Sequence, residues 1–257
     1  MRLIAGVIAS AVAAFAARRL RALSGTGAIA AFVVGTAAVV AGWSWAALLI
    51  TYFIAATVLS KLGEGEKEKR IGAIVDKGDE RDATQVFVNG GVFAIAAIAE
   101  LITHSPIWYA IGAGALAASA ADTWATEIGT LVGKEPVSII SGRRVPAGTS
   151  GGITFTGSLA GAGGSLFVAA GAALAAWPVA FTAVALGGMA GALSDSLLGA
   201  TLQSRRWCDV CKKPTERLIH DCGAETRRIG GIGGLDNDAV NAACSVVGAT
   251  VALLFSR

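Results

Sequence analysis

Eight apolar segments, each 15 to 25 residues long, recur along this chain of 257 residues and constrain its fold more than any other feature. A transmembrane helix needs about 20 predominantly apolar residues to cross the hydrocarbon core of a bilayer. Only 15% of the residues are charged, whereas soluble domains average about 25%. We therefore expect an all-α, polytopic membrane helix bundle with about seven or eight transmembrane helices in a single domain, 1–257. The segments are 3–17, 26–41, 43–60, 83–102, 107–131, 152–175, 179–203 and 239–255.

The connections between these segments alternate between very short turns and long charged loops. The long loops, 18–25, 61–82, 132–150 and 204–238, contain 19 of the 21 Lys and Arg residues. Successive crossings put all four long loops on one side, and Lys and Arg concentrate on the cytoplasmic side of membrane proteins. We therefore predict an integral protein of the plasma or inner membrane, with cytoplasmic long loops and both termini outside.

Short similarities between the two halves suggest an internal repeat. "SGTGAIAAFVVG" (24–35) resembles "TFTGSLAGAGG" (154–164), and "LSKLG" (59–63) resembles "LSDSLLG" (193–199). These matches predict a parallel repeat of four plus four helices, related by an axis along the membrane normal. A bias toward small residues is the alternative explanation.

Two aspartates lie well inside apolar segments, where a carboxylate costs roughly 2.5–3.5 kcal/mol on insertion scales. From the helical rise, Asp122 and Asp195 both lie about 12–14 Å from the cytoplasmic end, and Glu127 lies about 6 Å from it. We predict that all three are catalytic and that the two aspartates bind Mg²⁺, which prefers oxygen ligands and usually bridges phosphates. Asp122 and Glu127 differ by roughly 140° around a helix, so either they flank a crevice or the helix is interrupted between them.

Other polar residues enter the bundle from the same side. Asp236 and Asp238 are predicted as further Mg²⁺ ligands, because several carboxylates on one wet face suit a hard cation. The others are predicted to contact a nucleotide or phosphate. Helix capping and hydrogen bonds between helices are the alternative roles, above all for the aspartates at helix starts. These other residues are Lys61, Asp82, Gln85, Asn89 and Asn241.

A glycine-rich loop, "RRVPAGTSGGITFTG" (143–157), precedes the sixth segment. Consecutive glycines followed by Ser or Thr at a helix N-terminus leave backbone N–H groups available to phosphate oxygens. We predict phosphate binding by Arg143, Arg144, Ser150, Gly151 and Gly152, although such loops also simply turn the chain. Acids for a metal and an Arg/Gly loop for phosphate are the parts of a phosphoryl-transfer site, and no GxxxxGK[ST] motif is present.

The last long loop contains the pattern C-x2-C-x8-H-x-C, formed by Cys208, Cys211, His220 and Cys222. A reducing cytoplasm disfavours disulfides, and four such ligands can complete a tetrahedral Zn²⁺ site. We predict a structural zinc site in this loop; the alternative is free thiols at the surface.

Five motifs occur in the chain in the order "RDATQVFVNGG", "ADTWATEIG", "GTSGGIT", "SDSLLGATLQ" and "LDNDAVN". Together they resemble the integral-membrane family once catalogued as domain of unknown function 92, over roughly 20–255. Plant and cyanobacterial members of that family are phytyl-phosphate kinases. The resemblance implies a kinase that uses CTP or another NTP, with Mg²⁺, to convert a phytyl- or geranylgeranyl-type isoprenyl monophosphate to its diphosphate.

The resemblance also implies which residues form the site, and it adds Arg81 to those predicted to bind nucleotide or phosphate. The expected partners are the lipid substrate, the nucleotide and the bilayer, without nucleic acid. The residues in the matched motifs are Arg81, Asp82, Gln85, Asn89, Asp122, Glu127, Ser150, Gly151, Gly152, Asp195, Asp236, Asp238 and Asn241.

Two other functions fit parts of the same pattern. Intramembrane acids and repeats also occur in secondary transporters and exporters, although the outer half of this chain is nearly free of charge. A CTP-dependent lipid cytidylyltransferase would use similar parts but would release pyrophosphate and keep a CDP-lipid.

Overall fold

The computed structural model describes residues 2–71 and 80–256. The described residues form nine α-helices and five short β-strands, and the strands lie only in the long connections. The helices are α1 (Arg2–Arg19), α2 (Gly25–Ala41), α3 (Trp43–Lys61), α4 (Glu64–Ile71), α5 (Ala83–Thr103), α6 (Ile107–Val132), α7 (Phe155–Leu174), α8 (Phe181–Thr201) and α9 (Asn237–Phe255). The strands are β1 (Val137–Ser138), β2 (Gly152–Ile153), β3 (Arg205–Cys208), β4 (Lys213–Thr215) and β5 (Arg227–Gly230).

All eight predicted segments are helical, which confirms the membrane helix bundle, and α4 is an additional short helix in the loop 61–82. Residues 72–79 of that loop lie outside the described part. Five helices, α3, α5, α7, α8 and α9, are long and apolar enough to cross a membrane. The predicted number of seven or eight crossings is not confirmed. Helix α6 is long enough, but its acidic residues lower its hydropathy, and α2 has only 17 residues.

Helix α6 lies at the centre of the bundle because its small side chains let other helices approach closely. Ala110 and every residue from Gly112 to Ala121 are buried, and α5, α7, α8 and α9 all pack against this helix. Close backbone approach through small residues is the usual basis of helix packing in membranes. At Gly114, an added Cβ would collide with Ala252 and with the carbonyl of Gly248 in α9. The sequence of α6 therefore brings the helices that surround Asp122 together.

An aromatic cluster fills the half of the bundle that contains the short turns. It consists of Trp45 in α3, Phe93 in α5, Tyr109 in α6 and Trp177 between α7 and α8. The ring centroids of Trp45 and Trp177 are 4.4 Å apart, and those of Trp45 and Phe93 are 5.1 Å apart. Trp45, Phe93 and Trp177 are buried, so this half of the bundle is tightly packed.

The long connections lie together at the opposite end, as their alternation along the chain predicted. The first and second meet where Leu23 and Arg81 form a parallel β-bridge and where Arg18 pairs with Glu80 at 2.8 Å. Helix α4 packs against α6. In the third, β1 pairs with β2, and in the fourth, β3 is the central strand of a three-stranded antiparallel sheet in the order β4-β3-β5.

The internal repeat is not confirmed by the packing. In the predicted repeat α2 corresponds to α7, and α5 corresponds to α9. Helix α2 packs closely against α5, whereas their counterparts α7 and α9 make at most marginal contact. The two halves therefore place their corresponding helices differently.

Candidate active site

A polar cavity of about 500 Å³ opens at the end of the bundle where the long connections meet. This volume lies within the range of roughly 300–1,000 Å³ that is usual for small-molecule sites. Helices α5 to α9 contribute to its wall, together with α4 and three of the long connections. Ten of the predicted site residues line it: Arg81, Gln85, Asn89, Asp122, Glu127, Ser150, Gly151, Gly152, Asp195 and Asn241.

Asp122 and Asp195 form an acidic pair in the wall of this cavity. They project from α6 and α8, and their carboxyl groups lie within hydrogen-bonding reach of each other. The Oδ1 atom of Asp195 is buried and has no hydrogen-bond donor among the described residues. The predicted common depth of these two residues is therefore correct. Two carboxylates this close repel each other unless a proton or a cation lies between them, and their oxygens are the ligand type that Mg²⁺ prefers.

Glu127 also lines the cavity, and α6 is continuous through both acids. Of the two alternatives, a crevice flanked by Asp122 and Glu127 is therefore correct. The Glu127 carboxylate forms an ion pair with Lys67 of α4, at 2.5 Å between Nζ and Oε2. The Lys67 ammonium also donates to the carbonyls of Leu59 and Ser60 at the end of α3. Lys67 is 8% exposed, so this contact anchors α4 between α3 and α6.

The glycine-rich loop also forms part of the cavity wall, and its shape requires glycine. Gly148 and Gly151 have φ angles of 81° and 76°, which favour glycine because other residues meet steric strain there. Any Cβ at Gly151 would also collide with Ala200 of α8. The loop leads into α7, whose N-cap Thr154 accepts a hydrogen bond from the Gly157 backbone at 2.9 Å. The predicted succession of glycine loop and helix N-terminus is confirmed.

Arg81, Gln85 and Asn89 line the side of the cavity that faces α5. The Arg81 guanidinium donates to the hydroxyl of Thr57 and to the carbonyl of Ala56, both at 3.2 Å. Gln85 completes a capping box by accepting from the Asp82 backbone N–H, and Asn89 donates to the Gln85 carbonyl. These contacts fix the three side chains before any ligand binds.

Six predicted site residues do not line the cavity. Asp82 and Asp236 are the N-caps of α5 and α9 and accept from the third residue of each helix, at 2.9 and 3.0 Å, which confirms the capping alternative for these two. Asp238 lies in the first turn of α9. Arg144 pairs with Glu135 at 3.2 Å on the surface. The six residues are Lys61, Asp82, Arg143, Arg144, Asp236 and Asp238.

Several charged residues line the cavity although the sequence did not single them out. Glu216 accepts hydrogen bonds from the Ser150 hydroxyl at 2.7 Å and from Gln203 at 2.8 Å. Lys67 and Glu64 belong to the charged run "EGEKEKR", which is typical of a solvated helix. Glu216 follows a three-residue strand and carries no sequence signal. The added lining residues with charge are Glu64, Lys67, Arg70, Lys134, Glu216 and Arg217.

An apolar groove of about 480 Å³ adjoins the cavity between α1, α2, α3 and α5. It runs along α3 from Trp43 to the contact of Arg81 with Ala56, a distance of about 20 Å from the helical rise. Its wall is almost entirely apolar, but Arg81, Gln85 and Asn89 line both the groove and the polar cavity. These three residues therefore contribute to the walls of both spaces, which are neighbours in the fold.

The four predicted zinc ligands form a second cluster next to the cavity. One ligand atom from each of Cys208, Cys211, His220 and Cys222 lies within 4.8 Å of all the others. The backbone N–H of Cys211 donates to Cys208 Sγ at 3.4 Å, and this bond lowers the pKa of the Cys208 thiol. Contact with the Cys222 thiol raises the pKa of Cys211 to about 11. The thiols therefore lie close enough to perturb each other's ionisation.

Comparison with known proteins agrees with this architecture. The family model described as "Integral membrane protein DUF92" matches residues 8–249. "Protein PGR" of Arabidopsis thaliana is 33% identical over 267 residues, which cover 93% of this chain and 91% of that protein. An uncharacterized membrane protein of Methanocaldococcus jannaschii is 29% identical, with 80% and 85% covered. Another, of Synechocystis sp., is 30% identical, with 64% and 65% covered.

No solved structure matches the chain. The family match covers nearly the whole helix bundle and includes every cavity residue named above. It therefore confirms the resemblance carried by the five sequence motifs. The chain belongs to the DUF92 family of integral membrane proteins.

Proposed function

We propose that this protein is a membrane-embedded kinase that transfers the terminal phosphoryl group of CTP or another NTP to an isoprenyl monophosphate. The observation that carries this proposal is that a polar cavity and an apolar groove lie next to each other and share Arg81, Gln85 and Asn89 in their walls. A lipid phosphate needs both environments at once. Its isoprenoid chain would occupy the groove while its phosphate enters the cavity.

The reaction forms one phosphorus–oxygen bond and breaks another. An oxygen of the lipid monophosphate attacks the γ-phosphorus of the nucleotide. The bond from this phosphorus to the β–γ bridging oxygen breaks, and its electron pair leaves with the nucleoside diphosphate. The phosphate nucleophile is already anionic, so the protein acts mainly by positioning the two substrates and neutralising charge.

Asp122 and Asp195 fit a Mg²⁺ site because the buried Oδ1 of Asp195 has no donor among the described residues and faces a second carboxylate. Bound Mg²⁺ would offset the negative charge of the phosphates. The glycine-rich loop would bind phosphate oxygens through its backbone. Lys134 also lines the cavity, is exposed, and makes no ion pair with any described residue, so its ammonium is available to a phosphate.

The packing in the half of the bundle that contains the short turns favours an enzyme over a transporter. A transporter must expose its site to each side of the membrane in turn. Here the polar cavity opens where the long connections meet, and the aromatic cluster fills the half with the short turns.

The reaction products decide between the kinase and the cytidylyltransferase. Purified protein incubated with Mg²⁺, each NTP and prenyl monophosphates should yield a nucleoside diphosphate and a prenyl diphosphate. Pyrophosphate and a nucleotidyl lipid would show the cytidylyltransferase instead.

The cavity should face the cytoplasm, because the long loops that form it hold 19 of the 21 basic residues. A membrane-impermeant thiol reagent applied to intact cells should fail to label Ser141→Cys in the loop 132–150, and should label it after lysis. Ser105→Cys, in a short turn, is the control and should be labelled in intact cells. The reverse pattern would place the cavity outside and contradict the use of a cytoplasmic nucleotide.

A further inference from the structure

We propose that Cys208, Cys211, His220 and Cys222 bind one structural Zn²⁺, and that the zinc-bound β3–β4 hairpin holds Glu216 against the glycine-rich loop. The zinc assignment does not depend on the phosphoryl-transfer activity proposed above. It rests on the geometry of the four side chains and on the small size of the sheet that carries them.

The spacing of the sulfur atoms fits a tetrahedral site. With a Zn–S bond of about 2.3 Å, two thiolates at a tetrahedral angle lie about 3.8 Å apart. The Sγ atoms of Cys208 and Cys222 are 3.7 Å apart. The backbone N–H of Cys211 points to Cys208 Sγ and would stabilise that sulfur as a thiolate ligand. Four ligands complete the coordination shell, which is the rule for structural rather than catalytic zinc.

The fourth ligand, His220, supplies an independent observation. The residue is 7% exposed, and its Nε2 is buried without a hydrogen-bond partner among the described residues. A buried polar atom without a partner costs about 1–3 kcal/mol. The Cys222 backbone N–H reaches only Nδ1 of this imidazole, at 3.4 Å, so hydrogen bonding within the described chain leaves Nε2 without a partner, whereas coordination of a metal would supply one.

The local structure also needs a stabilising group. Strands β3, β4 and β5 have only three or four residues each, and so small a sheet is marginal by itself. Large apolar side chains of the same loop face outward: Val210 is 70% exposed and Leu218 is 69% exposed. With so little apolar core, a bound metal is the usual means of folding such a unit.

The hairpin connects the zinc cluster to the cavity. Cys208 ends β3 and pairs with Lys213, the first residue of β4. Glu216 follows β4 directly and accepts from Ser150 at 2.7 Å. Zinc at Cys208 and Cys211 would fix the turn between the two strands, and thereby the position of Glu216. Glu216 is thus a positioning residue for the glycine-rich loop.

Metal analysis of the full-length protein, purified in detergent without added zinc, tests the site. Wild type should contain one zinc per chain, and Cys208→Ser should lose it. Cys244→Ser is the matched control, because Cys244 lies in α9 outside the cluster, and it should retain full zinc. If Cys208→Ser does not fold, wild type loaded with Co²⁺ should show the absorption of a tetrahedral thiolate complex. Wild type without zinc that also fails to bind Co²⁺ would overturn the proposal, as would full zinc in Cys208→Ser.

Limited trypsin digestion tests the link to the glycine-rich loop without any activity assay. Chelation of the zinc should accelerate cleavage several-fold at Lys212 in the hairpin and also at Arg143 and Arg144 in the loop 132–150. Glu216→Ala should retain zinc but accelerate cleavage at the two arginines alone, because Ser150 loses its acceptor. Cleavage at the arginines that responds neither to chelation nor to Glu216→Ala would refute the positioning role.

Discussion

Asp195→Asn should reduce phosphoryl transfer by about 100- to 1,000-fold, the range observed when one preorganised electrostatic contact is removed from an active site. The substitution keeps the size of the side chain but removes the charge that the cavity offers to a cation. Asp122→Asn should have an effect of the same size, because the two carboxyl groups lie side by side. The loss should appear mainly in kcat, since the charge acts on the reacting phosphates.

The thermal stability of Asp195→Asn should not fall together with its activity. Two adjacent carboxylates repel each other in the folded state, and an amide at position 195 would remove that repulsion and could donate to Asp122. The thermal unfolding midpoint should therefore be unchanged or higher, measured in detergent without nucleotide. Asp209→Asn is the control for the same chemical change, because Asp209 pairs with Arg227 on the surface, and it should keep full activity. Wild-type turnover in Asp195→Asn, or a large drop in its midpoint, would show that the pair has a structural role instead.

Filling the apolar groove should impair long-chain substrates selectively. Ala47 of α3 lines the groove and is exposed, so a phenyl ring in Ala47→Phe would enter the groove without displacing packed side chains. We expect kcat/KM for a phytyl- or geranylgeranyl-type monophosphate to fall by about 10- to 200-fold, the discrimination usual for shape changes in an apolar pocket. Isopentenyl phosphate has too short a chain to reach Ala47, so its kcat/KM should hardly change.

The comparison must separate the groove from the bilayer. Lipid tails are as apolar as the groove itself, so partitioning into the membrane alone favours longer chains over isopentenyl phosphate in the wild type. Ala170→Phe adds the same ring to an exposed position of α7 outside the groove and should not alter the chain-length preference. If both variants lower long-chain activity equally, or if Ala47→Phe lowers the activity with both substrates equally, the groove does not bind the isoprenoid chain.

The helix bundle could be predicted because its determinants are local. Runs of apolar residues specify helices in a membrane, and the short turns and long loops specify which ends meet. The common depth of Asp122 and Asp195 followed from counting the helical rise in each segment. Capping by Asp82 and Asp236 was likewise visible as an acidic residue at a helix start.

The residues that could not be predicted depend on contacts between distant parts of the chain. Lys67 pairs with Glu127 across 60 positions, and Glu216 bonds Ser150 across 66. In the sequence, Lys67 belongs to a charged run typical of a solvated helix, yet the residue is buried. Arg143 and Arg144 were predicted to bind phosphate because they are close to the glycines in the sequence. The chain turns at Gly142, which has a φ of 65°, and the two arginines lie in the exposed stretch that follows. Proximity in the sequence therefore did not indicate which Lys and Arg side chains line the cavity.

The most direct test of the central claim follows a radioactive label from the γ-phosphate of the nucleotide. Purified protein in lipid vesicles would receive Mg²⁺, the labelled nucleotide and a geranylgeranyl-type monophosphate, with Asp195→Asn run in parallel. We predict that the label appears in the lipid diphosphate, that equal amounts of unlabelled nucleoside diphosphate and labelled lipid form, and that Asp195→Asn forms neither at a comparable rate. Label found only in inorganic phosphate or pyrophosphate, or the same transfer by Asp195→Asn, would contradict a kinase centred on the Asp122–Asp195 pair.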